Sequence, residues 1–360
     1  MMPTKRHESV GGWMSGGGRD SDVVISSRVR LARNVAGHRF VNRASAEERR
    51  ELADKLAEAA THLEAAPHME YFDLTALDDT DRALLVERHL ISREHADAEG
   101  PRGVAVGADE TISIMVNEED HLRMQVLHGG FELDDAWALM SRIDDEMEQH
   151  VPYAFESEYG YLTACPTNIG TGLRVSAMLH LPALAMTREL QRVFNAAAKI
   201  DFIVRGLYGE GTQGHGDFFQ LSNQKTLGRS EEEVLDNLRV VIPQIVRYER
   251  KVRDAMVKEH PRQVADRIGR AYGILCNARM ISSEEALHLL SQVRLGVNLG
   301  VIHGMDLTAA NRLFILTRPA HLQKIEGRDL ESNERDMVRA DFLRKSLAGA
   351  RMSPSDSANE

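Results

Sequence analysis

Cysteine is scarce in this chain: Cys165 and Cys276 are the only two in 360 residues. Two cannot build a disulfide framework, and they lack zinc-ligand spacing, so reduced thiols are expected. The fifteen histidines form no HExxH motif. An excess of basic charge is missing too. The formal net charge is −11, which argues against general nucleic-acid affinity. No apolar run reaches the length of a bilayer span, and the opening MMPTKRHESVGGWM has no signal-peptide core. The expectation is a cytoplasmic protein with neither membrane nor nucleic acid as partner. A GxxxxGK[ST] phosphate loop is lacking, as are the HRD and DFG sets of the common protein kinases. Gly209-Glu-Gly-Thr-Gln-Gly214 does fit GxGxxG, but a dinucleotide site needs a helix to open there. The following HGDFFQLSNQ reads as loop then strand, so that match carries no cofactor.

What is present is ordinary for a globular protein, 42% hydrophobic and 28% charged residues, with room for two domains. DVVISSRVRLARN begins as a strand. Ser45 and Glu48 form a capping-box pattern for a helix to about Ala65, and a second helix fits Thr80–Leu90. TISIMVN and HLRMQVL are strands joined by the acidic turn Glu118-Glu119-Asp120. A helix fits Leu133–Gln149, with Trp137 and Met140 at core spacing. Then come the loop CPTNIGTG, the strand LRVSAMLHL, a helix near Arg188–Ala198, and the strands DFIVRGLYG and FFQLSNQ. Ser230 and Glu233 cap a helix to about Lys258 that includes Pro243, a residue type that kinks helix interiors. Only helices are expected from there to Leu347, and the closing RMSPSDSANE reads as disordered. The expected divisions are an N-terminal segment 1–19, a mixed α/β part 20–254, a helical part 255–350 and a tail 351–360.

Arginines at strand ends stand out. Arg28 and Arg30 share one face of a strand. Arg123 follows the acidic turn, Arg174 enters a strand and Arg205 leaves one. Arginine forks bind phosphate oxygens in bidentate fashion, so converging arginines can hold a triphosphate without a glycine-rich loop. Glu118 and Glu119 in the turn, and Glu210 between glycines, complement them. Carboxylates opposite an arginine cluster suit a cationic nucleophile such as a guanidinium, which is protonated and needs a base before it attacks phosphorus.

The segments SSRVRLARN, VNEEDHLRM, CPTNIGTGLRVS and RGLYGEGT with LSNQ occur in the order found in the phosphagen (guanidino) kinases, which the chain resembles over roughly residues 20–254. The resemblance implies an α+β protein: an antiparallel sheet flanked by helices, then an all-helical C-terminal domain. Arginine and creatine kinases carry a helical domain before the SSRVR strand. Here that strand comes almost at once, so the domain is expected to be absent and the site open to a side chain still attached to a polypeptide. With WMS…DSDVVISSRVR and the helical block after the catalytic part, the chain looks like the bacterial protein arginine kinases of the McsB type over nearly its whole length.

Carried over by motif, the nucleotide site is Ser26, Ser27, Arg28, Val29 and Arg30; His89; Arg123; Arg174, Val175, Ser176, Ala177 and Met178; and Arg205, Gly206, Leu207, Tyr208, Gly209 and Glu210. The resemblance implies ATP with Mg²⁺ on its phosphates. Glu119 is favoured as base and Glu210 as orienter of the guanidinium, with Cys165 set against it. Arg335-Asp336-Met337-Val338-Arg339-Ala340 reproduces the RDxxRA motif that in this family forms an allosteric phosphoarginine pocket; by spacing alone it is a charged helix face. The family also implies an activator of the McsA type, delivery of modified proteins to a Clp-type protease in stress control, and a homodimer. Alternatives are a free-arginine kinase and a phosphoarginine-binding adaptor with a dead catalytic domain.

Overall fold

A computed structural model describes residues 10–206 and 215–353. The elements before the helical region are β1 (Val24–Arg33), α1 (Ala46–Thr61), β2 (Glu70–Asp73), α2 (Asp79–Glu87), α3 (Arg93–Asp97), β3 (Gly103–Val106), β4 (Ile112–Val116), β5 (Leu122–Gly129), α4 (Leu133–His150), β6 (Phe155–Glu156), β7 (Gly160–Tyr161), β8 (Leu173–His180), α5 (Pro182–Met186), α6 (Leu190–Ala198), β9 (Phe202–Gly206) and β10 (Phe218–Asn223). The capping box at α1 forms as the sequence predicts. The Ser45 hydroxyl accepts from the Glu48 N–H at 3.2 Å, and the Glu48 carboxylate accepts from the Ser45 N–H at 2.7 Å.

Eight strands form one sheet in the order β2-β3-β4-β5-β1-β8-β10-β9, and every pair is antiparallel. Side chains alternate between its faces. Val29, Leu31, Met124, Val126, Val175, Ala177 and Leu221 belong to one buried core. Leu56 of α1 and Met140 and Ile143 of α4 pack in that core, with Trp137 only partly buried at its edge. Turning these residues inward aims their neighbours Arg28, Arg30 and Arg174 at the opposite face.

The helical region starts with α7 (Glu231–Glu259), again on a capping box, at Ser230 and Glu233. It runs as one helix through Pro243 and across the expected division after residue 254. There follow α8 (Pro261–Asn277), α9 (Ser283–Asn298), β11 (Ile302–His303), α10 (Leu307–Leu316), α11 (Pro319–Glu326), α12 (Ser332–Leu347) and β12 (Arg351–Met352). Helix α11 was not expected, nor was any strand. Arg351 and Met352, expected in a disordered tail, instead pair with His303 and Ile302. The Tyr272 hydroxyl donates to the Ala350 carbonyl at 2.6 Å and the Ser353 N–H to that of Val301 at 2.9 Å, which holds the segment down. No helix among the described residues is long and apolar enough to cross a membrane.

Sheet and helical region share a second core, in which Ile25, Leu127 and Phe218 meet Ile268, Leu290 and Phe314. Buried Arg294 of α9 crosses this junction. Its guanidinium donates to the carbonyls of Ser21 and Asp22 at 2.8 and 2.9 Å, to His180 Nδ1 at 2.8 Å and to Asn311 Oδ1 at 2.8 Å. Burial lowers its pKa to about 9, so the charge is retained at neutral pH. An unsatisfied buried acceptor costs about 1–3 kcal/mol. Arg294→Met should therefore lower stability by about 3 kcal/mol or more. A urea midpoint equal to that of the parent protein would contradict this.

Candidate active site

Strand register brings the arginines together. Arg30 on β1 lies opposite Gln125 of β5 and Arg174 of β8, and Ala32 lies opposite Arg123. Arg28 lies opposite Ser176, which faces Ser222 on β10; Gln220 then faces Arg205 on β9. Partners across an antiparallel pair share a face. Arg28, Arg30, Arg123, Arg174 and Arg205 accordingly line one cavity of about 640 Å³, with Ser92, Glu118, Glu119 and Ser222.

This face is strongly cationic. Loss of solvent, then the charges of Arg174 and Arg123, pull the Arg28 pKa down to about 10. Burial, then Arg205 and Arg123, pulls Arg174 to about 10. Arg30 falls well below its ordinary range through burial and then Arg28, Arg123 and Arg174. The Nε atoms of Arg30 and Arg174 are buried with no hydrogen-bond partner among the described residues. Among the described residues Arg28 makes two long hydrogen bonds, 3.4 Å to Ser176 Oγ and 3.5 Å to Gln125 Oε1. Such an array is suited to an oxyanion with many acceptor oxygens.

The acidic turn divides its carboxylates between two tasks. The Glu118 side chain is 4% exposed, paired with Arg123, and accepts from Ser92 Oγ at 2.6 Å. Burial would raise its pKa, but Arg123 and Ser92 outweigh that and lower it. The Glu119 side chain is 42% exposed and 3.7 Å from Arg123. Its pKa is raised by burial, opposed by Arg123 and reinforced by Asp120 and Glu118, with the nearby Cys165 thiol a smaller lowering influence. Asp120 joins the turn to the cysteine loop, accepting from Asn34 Nδ2 at 2.6 Å and from the Ala164 N–H at 2.7 Å. Asn117, at φ 58°, donates to the Arg49 and Pro101 carbonyls at 2.8 and 3.1 Å. Asn117 and Asp120 thus shape the turn that presents Glu119.

Cys165 opens a single 3-10 turn, Pro166–Asn168. Its Sγ lies 3.0 Å from Thr167 Oγ1. Gly172, at φ 63°, closes the loop so tightly on β1 that a Cβ there would lie 2.6 Å from the Ala32 carbonyl oxygen. His89, at φ 60°, packs edge-on to Trp13 with centroids 5.4 Å apart. Burial, then Arg28 and Arg318, pushes its pKa down to about 3, so the ring is neutral.

Not every residue of the matching segments faces the cavity. Val29, Val175 and Ala177 belong to the core, and Ser27 Oγ donates to the Gly130 carbonyl at 2.9 Å. Ser26 lies opposite Met178 in the β1–β8 register. Gly206 ends β9, while Leu207, Tyr208, Gly209 and Glu210 lie outside the described residues. Ser92, Gln125, Gln220 and Ser222 were not singled out by the sequence. The polar alternation in FFQLSNQ was the available signal for the last two.

The α12 motif lies elsewhere. Arg335 is half-buried and donates to the Leu330 carbonyl at 2.9 Å. Arg339 is 1% exposed and donates to the Thr317 and Ile281 carbonyls at 2.8 and 2.9 Å and to Asp336 at 2.6 Å. Met337 is exposed, Val338 half-buried and Ala340 buried.

Residues 51–252 match the family described as ATP:guanido phosphotransferase, C-terminal catalytic domain, and residues 261–359 that described as protein-arginine kinase McsB C-terminal domain. The chain is 48% identical over 342 residues to a protein-arginine kinase of Desulforamulus reducens, covering 93% of this chain and 95% of that one. It is 44% identical over 341 residues to that of Halothermothrix orenii, covering 95% and 97%. Among solved structures, lombricine kinase aligns with a TM-score of 0.58 at 24% identity, over 69% of this chain and 71% of that one. The duplicated taurocyamine kinase of Schistosoma mansoni aligns at 0.59 and 24% identity, over 77% and 41%. The fold and the match over 51–252 define a kinase of the ATP:guanido phosphotransferase class. Within that class the chain belongs to the protein-arginine kinase family.

Proposed function

We propose that the enzyme transfers the γ-phosphoryl group of ATP to the guanidinium of arginine side chains in proteins. The observation that carries this is the convergence of five arginines on one sheet face in a cavity that Glu119 also lines, with Cys165 near Glu119. The nucleotide binds as Mg·ATP. Arg28, Arg30, Arg123, Arg174 and Arg205 hold the phosphates and neutralise the transferring group, since this chemistry depends mainly on positioning and electrostatics. Glu118 fixes the Arg123 fork. Glu119, partly exposed and with a raised pKa, takes the guanidinium proton as nitrogen attacks the γ-phosphorus in line and the O–P bond to ADP breaks. Cys165 lies against the guanidinium, and Glu210 orients it.

The product has an anionic group in place of a cation. Arg335, half-buried at the start of the α12 motif, contributes to its recognition, while Arg339 holds α12 in place. Arg335→Ala should weaken phosphoarginine binding with little change in melting temperature, whereas Arg339→Ala should lower the melting temperature as well. Calorimetric titration with phosphoarginine beside a thermal melt separates the two; equal behaviour would reject this division. Occupancy of that pocket would regulate activity. The reading extends to a cytoplasmic homodimer, helped by an activator of the McsA type, whose marked proteins go to a Clp-type protease under stress. The deciding assay incubates the protein with Mg·ATP and either casein or free arginine, with ³¹P NMR detection. Phosphoarginine on casein alone supports the proposal; product on free arginine alone refutes the protein-substrate reading.

A further inference from the structure

A second cavity, of about 850 Å³, opens beside the arginine pocket and shares Arg28 and Ser92 with it. One wall comes from the α2–α3 region through Val86, Ile91 and Ala96. The helical region supplies another through Arg318 and Pro319. His89 also lines this cavity, and the charge of Arg318 is felt at its imidazole.

The position of Arg318 is fixed by how α11 docks. Its own N–H donates to the Ile315 carbonyl at 3.0 Å, and Pro319 follows as the first residue of α11. The Glu87 carboxylate at the end of α2 accepts the N–H groups of Ala320 and His321 at 2.9 and 3.1 Å. It also lies 2.9 Å from His321 Nδ1, while Arg88 reaches His321 Nε2 at 3.3 Å. Lys324 adds an ion pair with Asp81 at 2.7 Å. Helix α11 is therefore clamped to α2, and the clamp presents Arg318 to the cavity.

We propose that Arg318 is a nucleotide-binding residue, supplied by the helical region to a site otherwise built by the sheet and α2. The inference rests on the reading that the arginine pocket holds the triphosphate. Arg28 and Ser92 border both spaces, so a nucleotide whose phosphates lie on the sheet extends its nucleoside end into the second. There Val86, Ile91 and Pro319 offer apolar contact to a base, and a guanidinium plane stacks on an aromatic ring. The helical region would then act directly on ATP affinity.

Titration of the full chain with a fluorescent ATP analogue, and by competition with inorganic tripolyphosphate, tests this. Arg318→Ala should weaken ATP binding about tenfold, roughly the worth of one stacked or charge-assisted contact, and leave tripolyphosphate affinity unchanged. KM for ATP should rise more than kcat falls, and Arg318→Lys should recover part of the loss. Unchanged ATP affinity in Arg318→Ala overturns the inference. So does a loss confined to phosphoarginine binding, which would assign the residue to the α12 motif. Should the alanine variant not fold, Arg318→Gln gives the same readout. Arg28→Ala is the control: undiminished ATP and tripolyphosphate binding there would reject the phosphate pocket itself, separately from Arg318.

Discussion

Glu119→Gln should keep ATP affinity and lose phosphoryl transfer by about 10²–10⁴-fold, the usual contribution of a positioned base. The argument rests on the unlike surroundings of two adjacent carboxylates. Glu118 is enclosed, held by Arg123 and Ser92, and its pKa is lowered. It cannot take up a proton without releasing Arg123. Glu119 is partly exposed and lies beside Cys165, and its pKa is raised, so proton uptake costs it less. The two substitutions should therefore differ. Glu118→Gln should loosen Arg123 and weaken ATP binding, whereas Glu119→Gln should act on kcat. The pH dependence has a definite sign. A base works when ionised, so kcat should fall as pH drops through the Glu119 pKa, at a higher pH than an ordinary glutamate would give. That acidic limb should vanish from the residual activity of Glu119→Gln. Full transfer by Glu119→Gln, with its acidic limb intact, would move the base elsewhere.

Much of this was legible in the sequence, because the relevant signals are local. Two-residue spacing puts Arg28 and Arg30 on one strand face, and capping boxes announce α1 and α7. The same alternation, applied to the matching segments, would have assigned Val29, Val175 and Ala177 to the core. β2 and β3 were missed because they have four residues each, and GVAV is buried throughout and shows no alternation. Helix α11 starts on Pro319, which is acceptable in a first turn but reads as a stop. Arg318 has no motif at all. It reaches the cavity only because Glu87, distant in sequence, receives the first turn of α11. Spacing also misjudges Arg339, which suggests an exposed partner for Arg335 one turn away but is buried against two carbonyls. Burial of that kind depends on the packing of α12, which a single helix pattern does not contain.

Arg30→Met should make the free protein more heat-stable while abolishing ATP binding. Arg30 lies among Arg28, Arg123 and Arg174, and burial together with their charges disfavours its cationic form. Among the described residues Glu118 favours it, and that group is already engaged by Arg123. A cation whose folded-state pKa is depressed is penalised at every pH below that value. Because Arg28 remains charged up to about pH 10, the repulsion is present across the physiological range. Methionine fills similar space without charge, and replacing poorly compensated buried ions by apolar groups is often stabilising. The unliganded melting temperature should therefore rise. The parent protein should regain stability when phosphate oxygens enter, by about 2.7 kcal/mol at a hundredfold excess of ligand over Kd. The variant should show little such gain with ATP or tripolyphosphate. A lower melting temperature for Arg30→Met would mean that the arginines hold the sheet face together. An unchanged ATP-dependent shift would mean that the nucleotide does not rely on this face. A rise in stability with loss of the shift would identify the face as a site kept under electrostatic strain for its ligand.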